Sequence, residues 1–390
     1  MDATSRRILF ARALRSFADG FIAVVLPAYL LALGLGQLEV GFVSTATLLG
    51  SALATLAIGR WGHRFSIRRL LLAAALLMAA TGLAFAGLST LWPLVLVSFV
   101  GTLNPSSGDA SIFMPLDHTM LANAVDRPTV FARYSFVGSI CGALGALAAG
   151  LPDALAAQVS MLNALRMMFL LYAAVGVVVW LLYLGLPDPH AAQQSPNAAL
   201  GPSRGIVWRL AALFSVDSFA GGLVLNSLLA LWLFQRFGMS LAAAGGFFFW
   251  TGLLAACSQL AAAPLARRIG MVNTMVFTHI PSSVCLIGAA LASSLPLTLA
   301  LLLARSLLSQ MDVPARGAFV MSVVTPAERP AAASFTAVPR SLAAAISPSL
   351  TGAMFAAGAM AAPLVACGVL KIAYDLALFA AFRRAETRLA

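Results

Sequence analysis

Long apolar runs alternate with short polar breaks along the whole chain. Runs such as Leu70–Leu88 and Val272–Ala292 approach the roughly 20 residues a helix needs to cross hydrocarbon about 30 Å thick. The pattern predicts twelve crossings, at about 13–33, 40–59, 70–88, 91–111, 129–150, 164–186, 207–234, 241–262, 272–292, 295–314, 331–356 and 360–382. The short alternating strands of a membrane barrel do not occur in the pattern, and only helices and closed barrels satisfy their backbone in lipid. An all-α integral membrane protein is therefore expected.

Composition supports this. Hydrophobic residues make up 61% of the 390 and charged residues 9%, more apolar side chain than one soluble core hides. The formal charge of +11 invites a nucleic-acid reading, but the arginines form no single block. Arg6, Arg7, Arg12, the loop 60–69, Arg127, Arg133, Arg204, Arg209, Arg267, Arg268, Arg316, Arg329, Arg383 and Arg384 fall on one side of the predicted membrane. The opposite breaks carry only Arg166 and Arg236. The positive-inside bias then places both termini in the cytoplasm, in the plasma (inner) membrane. The lipid bilayer is an expected partner and nucleic acid is not.

The basic head Met1–Arg12 precedes an apolar run without a small-residue cleavage site, so no cleaved signal peptide is expected. Cys141, Cys257, Cys285 and Cys367 lie inside predicted helices, which argues against disulfides. No Cys/His spacing supports a metal site, and no cofactor is expected.

The chain also nearly repeats itself. Arg64 recurs as Arg268, Asp126-Arg127-Pro128 as Glu328-Arg329-Pro330, and Gly150 as Gly352, at offsets of 202 to 204 residues. The one long polar break, 187–205, is rich in Pro, Gln, Ser and Ala and has linker composition. The expected organisation is a six-helix bundle over 1–186, a cytoplasmic linker over 187–205 and a second six-helix bundle over 206–390. Doubled membrane bundles are the usual build of secondary transporters, which bind solute where the repeats meet.

Between predicted helices two and three the chain reads Gly59-Arg60-Trp61-Gly62-His63-Arg64-Phe65-Ser66-Ile67-Arg68-Arg69. Together with twelve helices in a 6+6 repeat, this loop resembles the major facilitator superfamily, whose pattern there is G-x-x-x-D-R-x-G-R-K/R. Gly59, Arg64 and Arg68 match; His63 replaces the acid, Ser66 the second glycine and Ile67 a basic residue. The resemblance covers essentially the whole chain. It implies two pseudo-symmetric bundles around a central cavity, with alternating access to a midplane site. It also implies a gate in which Arg64 or Arg68 latches onto Asp109, with Asp312 as the second-half counterpart. Permanent pairing at the rim, including Asp312 with Arg316, is the alternative. Gly138, Gly142, Gly145 and Gly150 resemble the glycine-rich fifth helix of proton-coupled exporters, but Ala143 stands where that motif has proline. Close helix packing is the other reading of those glycines.

Ionisable groups at membrane depth cost several kcal/mol and usually carry function. Asp217, eight residues past Arg209, lies roughly 12 Å into its helix at about 1.5 Å per residue. Arg305 and Arg340, each eleven residues from a predicted helix end, lie roughly 16 Å deep by the same rise. One reading makes Arg305 and Arg340 a cationic pair for an anionic solute group, with Asp217 as counter-ion or proton carrier. The other makes the three a lock between helices. Asp19, four residues beyond Arg15, is a second candidate for proton coupling or an interfacial ion pair. Lys371 and Asp375 are spaced to neutralise one another, and lone His279 suits packing better than coupling. Asn104 and Asn226 need partners in apolar helices and are candidate solute contacts.

No phosphate loop ending in Gly-Lys-Ser/Thr, no His-Glu-x-x-His and no Gly-x-Ser-x-Gly occurs, which sets aside an ATP-driven pump and an intramembrane enzyme. A monomeric, proton-coupled exporter of a small organic solute is the expected function. Proton-coupled uptake of an anionic solute is the alternative, and a non-transporting receptor the weakest.

Overall fold

The computed structural model describes residues 2–106, 112–121, 127–188, 201–325 and 328–386. In chain order the first part holds α1 (Ala3–Ala32), α2 (Gln37–Trp61), a 3-10 turn (Gly62–Arg64), α3 (Ile67–Gly87), α4 (Leu91–Val100), α5 (Phe113–Leu121), α6 (Arg127–Ala148), α7 (Leu151–Leu155) and α8 (Met161–Leu184). There follow α9 (Arg204–Gly222), α10 (Asn226–Phe237), α11 (Leu241–Ile269), α12 (Met271–Leu291), α13 (Leu295–Leu308), α14 (Asp312–Val323), α15 (Arg329–Ala356) and α16 (Ala362–Glu386). No strand occurs among the described residues.

Nine helical spans among the described residues are long and apolar enough to cross a membrane. Three of the twelve predicted crossings are not among them. The fourth is cut short at Gly101 and leaves α4 with 10 residues. The tenth is divided between α13 and α14, of 14 and 12 residues. The eleventh is α15, 28 residues long but interspersed with Ser334, Thr336, Arg340, Ser341, Ser347, Ser349 and Thr351.

The breaks have local causes. Past α4, the Asn104 side-chain oxygen accepts from the Ser106 N–H at 3.1 Å and its hydroxyl at 2.7 Å. This is an asparagine turn that competes with helix. Pro105 between them has no N–H to continue a helix. The predicted seventh helix parts after Gly221-Gly222 into α9 and α10, and the Thr351 hydroxyl donates to the freed Leu223 carbonyl at 2.9 Å. A side chain from another helix thus replaces the missing backbone bond, as lipid surroundings require.

The helices gather into two compact units. One comprises residues 1–194 and 225–249; the other comprises 195–224 and 250–390. Residues 225–249, beyond the expected linker, belong with the first unit. There the Ser227 N–H donates to the Pro105 carbonyl at 3.1 Å and the Ala242 N–H to Asp153 at 2.8 Å.

In the first unit α1 packs closely on α6. A β-carbon at Gly20 would strike the Gly142 carbonyl, and one at Gly145 would strike the Phe17 carbonyl. These glycines let the two backbones meet, the means by which membrane helices gain contact without a hydrophobic driving force. In the second unit Phe214, Val272, Met275, Phe319, Tyr374 and Leu378 form one buried apolar cluster. Large apolar side chains such as Trp92, Leu260 and Leu291 are exposed, as befits a lipid-facing surface.

Where α9 begins, Glu328 closes the second unit on itself. Its carboxylate accepts from the Gly201 and Ser203 N–H groups, from the Ser203 hydroxyl at 2.6 Å and from the Thr325 hydroxyl at 2.6 Å. These donors hold its pKa down at about 2 against an ordinary 4.5, because they bind the charged form. A lowered folded pKa gives stability that is complete above the ordinary value and is lost as pH falls through about 2. Glu328→Gln is accordingly expected to lower the unfolding temperature at pH 7. Thermal unfolding at a series of pH values should show the gap from the parent closing in acid.

Candidate functional site

The second unit contains a continuous chain of charged side chains that joins four helices. Asp217 is its hub. Placed on α9 one turn beyond Phe214, it is 5% exposed and holds two cations. Its Oδ1 accepts from Lys371 Nζ of α16 at 2.7 Å, and its Oδ2 from Arg316 of α14 at 2.9 Å. Arg316 also pairs with Asp312, one turn earlier on α14. Lys371 Nζ lies 3.3 Å from Nε2 of His279 on α12, and His279 Nδ1 lies 3.1 and 3.0 Å from the two oxygens of Asp375 on α16. The order is therefore Asp312–Arg316–Asp217–Lys371–His279–Asp375. Asp312, Arg316, His279 and Asp375 are buried as well.

Such a network is stable only when complete. Each ion out of water costs several kcal/mol, repaid by close partners, and removing one partner of a buried pair costs about 3–5 kcal/mol. Three carboxylates face two permanent cations here, and the His279 imidazole stands between Lys371 and Asp375.

Arg340 of α15 stands beside this network. Its Nε donates to the Ser218 hydroxyl at 3.1 Å, and its guanidinium carbon is 5.9 Å from the Phe214 ring centroid. The Arg316 guanidinium approaches the same ring at 5.2 Å. Half-buried Arg340 enters none of the ion pairs among the described residues. Nor is Arg305 part of them; its backbone carbonyl accepts from the Ser282 hydroxyl at 3.4 Å.

The first unit holds a smaller counterpart. Arg15 of α1 donates to Asp117 of α5, which also accepts from the Tyr134 hydroxyl at 2.8 Å and the Tyr183 hydroxyl at 3.3 Å. The Arg15 guanidinium lies 4.1 Å from the Phe113 ring centroid. Arg15 is 4% and Asp117 0% exposed. Arg12, Asp19, Thr102 and Tyr172 line a small recess next to this pair.

Of the residues singled out from sequence, the structure brings Asp217, Arg340 and Asp312 into one neighbourhood and leaves Arg305 outside its ion pairs. Asn104 and Asn226 lie in the first unit, one residue before the Pro105–Ser227 backbone contact. Arg64 is exposed on its turn, and Arg68 donates to the Leu184 carbonyl at 2.6 Å. Asp109 lies outside the described residues. Lys371 and Asp375 do not pair with each other as their spacing suggested: Lys371 reaches Asp217, and Asp375 reaches His279. Sequence reasoning passed over Asp117 entirely, and it offered Arg316 only as a rim partner of Asp312, a pair the structure forms, without its bond to Asp217. Among the described residues, no group of three His, Cys, Asp or Glu side chains is disposed to hold a metal ion.

The family model of the Major Facilitator Superfamily matches residues 8–310. The chain belongs to the major facilitator superfamily. It is thus a multi-pass integral membrane protein and a secondary transporter, and its function is transport rather than enzymatic catalysis. This superfamily member is 23% identical over 418 residues to the uncharacterized membrane protein YJR124C of Saccharomyces cerevisiae, a match covering 96% of the chain and 93% of that protein. Its fold matches the crystal structure of the nucleoside transporter NupG with a TM-score of 0.76, at 15% identity, over 98% of this chain and 100% of that one. It also matches a bacterial homolog of the human lysosomal transporter Spinster, inward-facing and unoccupied, with a TM-score of 0.73 at 15% identity, over 99% and 96% of the two chains.

Proposed function

We propose that this superfamily member is a proton-coupled exporter of a small organic solute that carries an anionic or zwitterionic group. It works by alternating access of the two sequence halves, 1–186 and 206–390, as a monomer in the plasma (inner) membrane with both termini cytoplasmic. Arg340 supplies the cation for the solute, with Asn104 and Asn226 as further polar contacts. The network around Asp217 couples the proton, with Asp19 as a second acid in the other unit. Arg64 and Arg68 act as gating cations, with Asp109 and Asp312 as acids for the gate.

The observation that carries this reading is the contrast between Arg316 and Arg340. Both flank Phe214, but Arg316 pairs with both Asp217 and Asp312, whereas among the described residues Arg340 enters no ion pair and donates to a serine hydroxyl. A half-buried guanidinium without a carboxylate offers a planar fork of donors for a carboxylate or phosphate. Arg305, which does not flank Phe214, has a weaker claim to that part. Uptake of an anionic solute along with protons is the second reading, which the same unmatched cation favours.

The expected result is that Arg340→Ala abolishes flux while expression and folding persist, and that Arg340→Lys retains part of it. Proteoliposomes loaded with a panel of organic acids, zwitterions and lipophilic cations provide the measurement, with pH gradients of both signs to fix direction. Full activity in Arg340→Ala, or selective transport of lipophilic cations, would overturn the anion-recognition role.

A further inference from the structure

We propose that His279 is the protonation site of the second-unit network and that Lys371 is the counter-ion its protonation displaces. The inference deepens the coupled-transport reading and rests on it for its purpose, but its chemistry is testable without flux.

The contacts fix the starting state. An ammonium group has three donors and no acceptor, so the His279 nitrogen facing Lys371 must supply a lone pair. Nε2 is therefore unprotonated, and Nδ1 carries the hydrogen and donates it to Asp375. With His279 neutral, Asp217, Asp312 and Asp375 outnumber Arg316 and Lys371 by one negative charge. The network is one proton short of balance.

Uptake at His279 keeps every existing hydrogen bond except one. A proton adds to the Nε2 lone pair, the Nδ1–H bond to Asp375 stays, and the imidazolium pairs with that carboxylate. Nε2 can then no longer accept from Lys371, and two cations at 3.3 Å repel. Lys371 is driven off His279 and keeps only Asp217, whose Oδ1 it already holds at 2.7 Å. Nε2 itself lies 3.9 Å from that same Oδ1, so imidazolium and ammonium compete for one oxygen. Protonation thus alters how α12, α16 and α9 are tied together.

The surroundings agree. From α16, Asp375, Lys371 and Tyr374 face the ring, the last with its own ring centroid 6.2 Å away. Asp217 faces it from α9, and Arg316 and Asp312 of α14 act through Asp217. Arg305 of α13 and Arg340 of α15 add positive charge beyond this circle without an ion pair. Imidazole is the side chain whose ordinary titration spans physiological pH, whereas Asp217 already pairs with two cations.

The experiment is nitrogen NMR of histidine-labelled protein in lipid nanodiscs, with His63, His118 and His190 replaced so that His279 is the sole labelled imidazole. The expected spectrum at alkaline pH is the neutral Nδ1–H tautomer, which gains a proton at Nε2 on acidification between pH 9 and 5. Lys371→Met is expected to move that transition to higher pH by removing the competing cation. An Nε2–H tautomer at alkaline pH, a ring that does not titrate across this range, or an unmoved transition in Lys371→Met would each overturn the proposal. Titration as expected in a protein whose flux ignores pH gradients leaves the site standing and removes the coupling reading. Gradient-driven flux with a silent His279 does the reverse.

Discussion

Asp217→Asn is expected to eliminate gradient-driven transport and to destabilise the protein, and Asp217→Asn/Lys371→Met is expected to restore stability without restoring transport. Asparagine keeps the shape of the side chain and removes the charge that holds Lys371 and Arg316. Arg316 retains Asp312, but Lys371 is left facing the Nε2 of His279 with no carboxylate in contact. Loss of one partner from such a buried pair costs about 3–5 kcal/mol, and removal of both charges costs far less. The double variant therefore separates two roles that the single variant confounds. If Asp217 merely locks helices, the stable double variant transports normally. If it is the hub of coupling, the double variant folds and carries solute only down its own gradient. Thermal unfolding and proteoliposome flux with and without a pH gradient read the two quantities. Accumulation against a solute gradient, with unchanged pH dependence, in either variant would exclude Asp217 from coupling.

Sequence pattern alone revealed the membrane class and most of the helices, because hydropathy reports directly on what lipid demands of each residue. It did not reveal the breaks in helices four, seven and ten. Those depend on where freed carbonyls and N–H groups find partners, as Leu223 does at Thr351, and such partners lie far away in sequence. Depth estimates singled out Asp217 and Arg340, which sit far from both ends of an apolar run. They passed over Asp117 and left Arg316 at the rim because each lies beyond a break, in stretches that read as loop or as a basic rim. Lys371 and Asp375 were misread for another reason. Spacing of four residues shows which side chains can meet along one helix, but not which neighbouring helices offer better partners, here α9 and α12.

One sequence signal pointed to the missed residues. At an offset of 202, Arg15 falls on Asp217, and Asp117 falls on Phe319, one helical turn past Arg316. Each half thus ties its opening helix to the segment beyond the break in its fourth, with the charges reversed: Arg15 to Asp117, and Asp217 to Arg316. In the first unit the Tyr134 and Tyr183 hydroxyls donate to Asp117, and His118, the next residue, packs edge-on against the Tyr134 ring at 5.2 Å. A tyrosine hydroxyl gives up its proton only at high pH, so the two tyrosines on Asp117 hold it rather than titrate with it. Asp117→Ala is expected to cost about 3–5 kcal/mol, since it strands a buried guanidinium. Arg15→Met/Asp117→Leu should recover most of that loss, less about 1–3 kcal/mol for each tyrosine hydroxyl left without an acceptor. Thermal unfolding checks the stabilities. The decisive measurement is flux: the recovered double variant is expected to retain pH-driven transport, in contrast to Asp217→Asn/Lys371→Met. A folded but uncoupled Arg15→Met/Asp117→Leu protein would place coupling in the first unit, and Asp19, in the recess beside Arg15, would then take the part assigned to the Asp217 network.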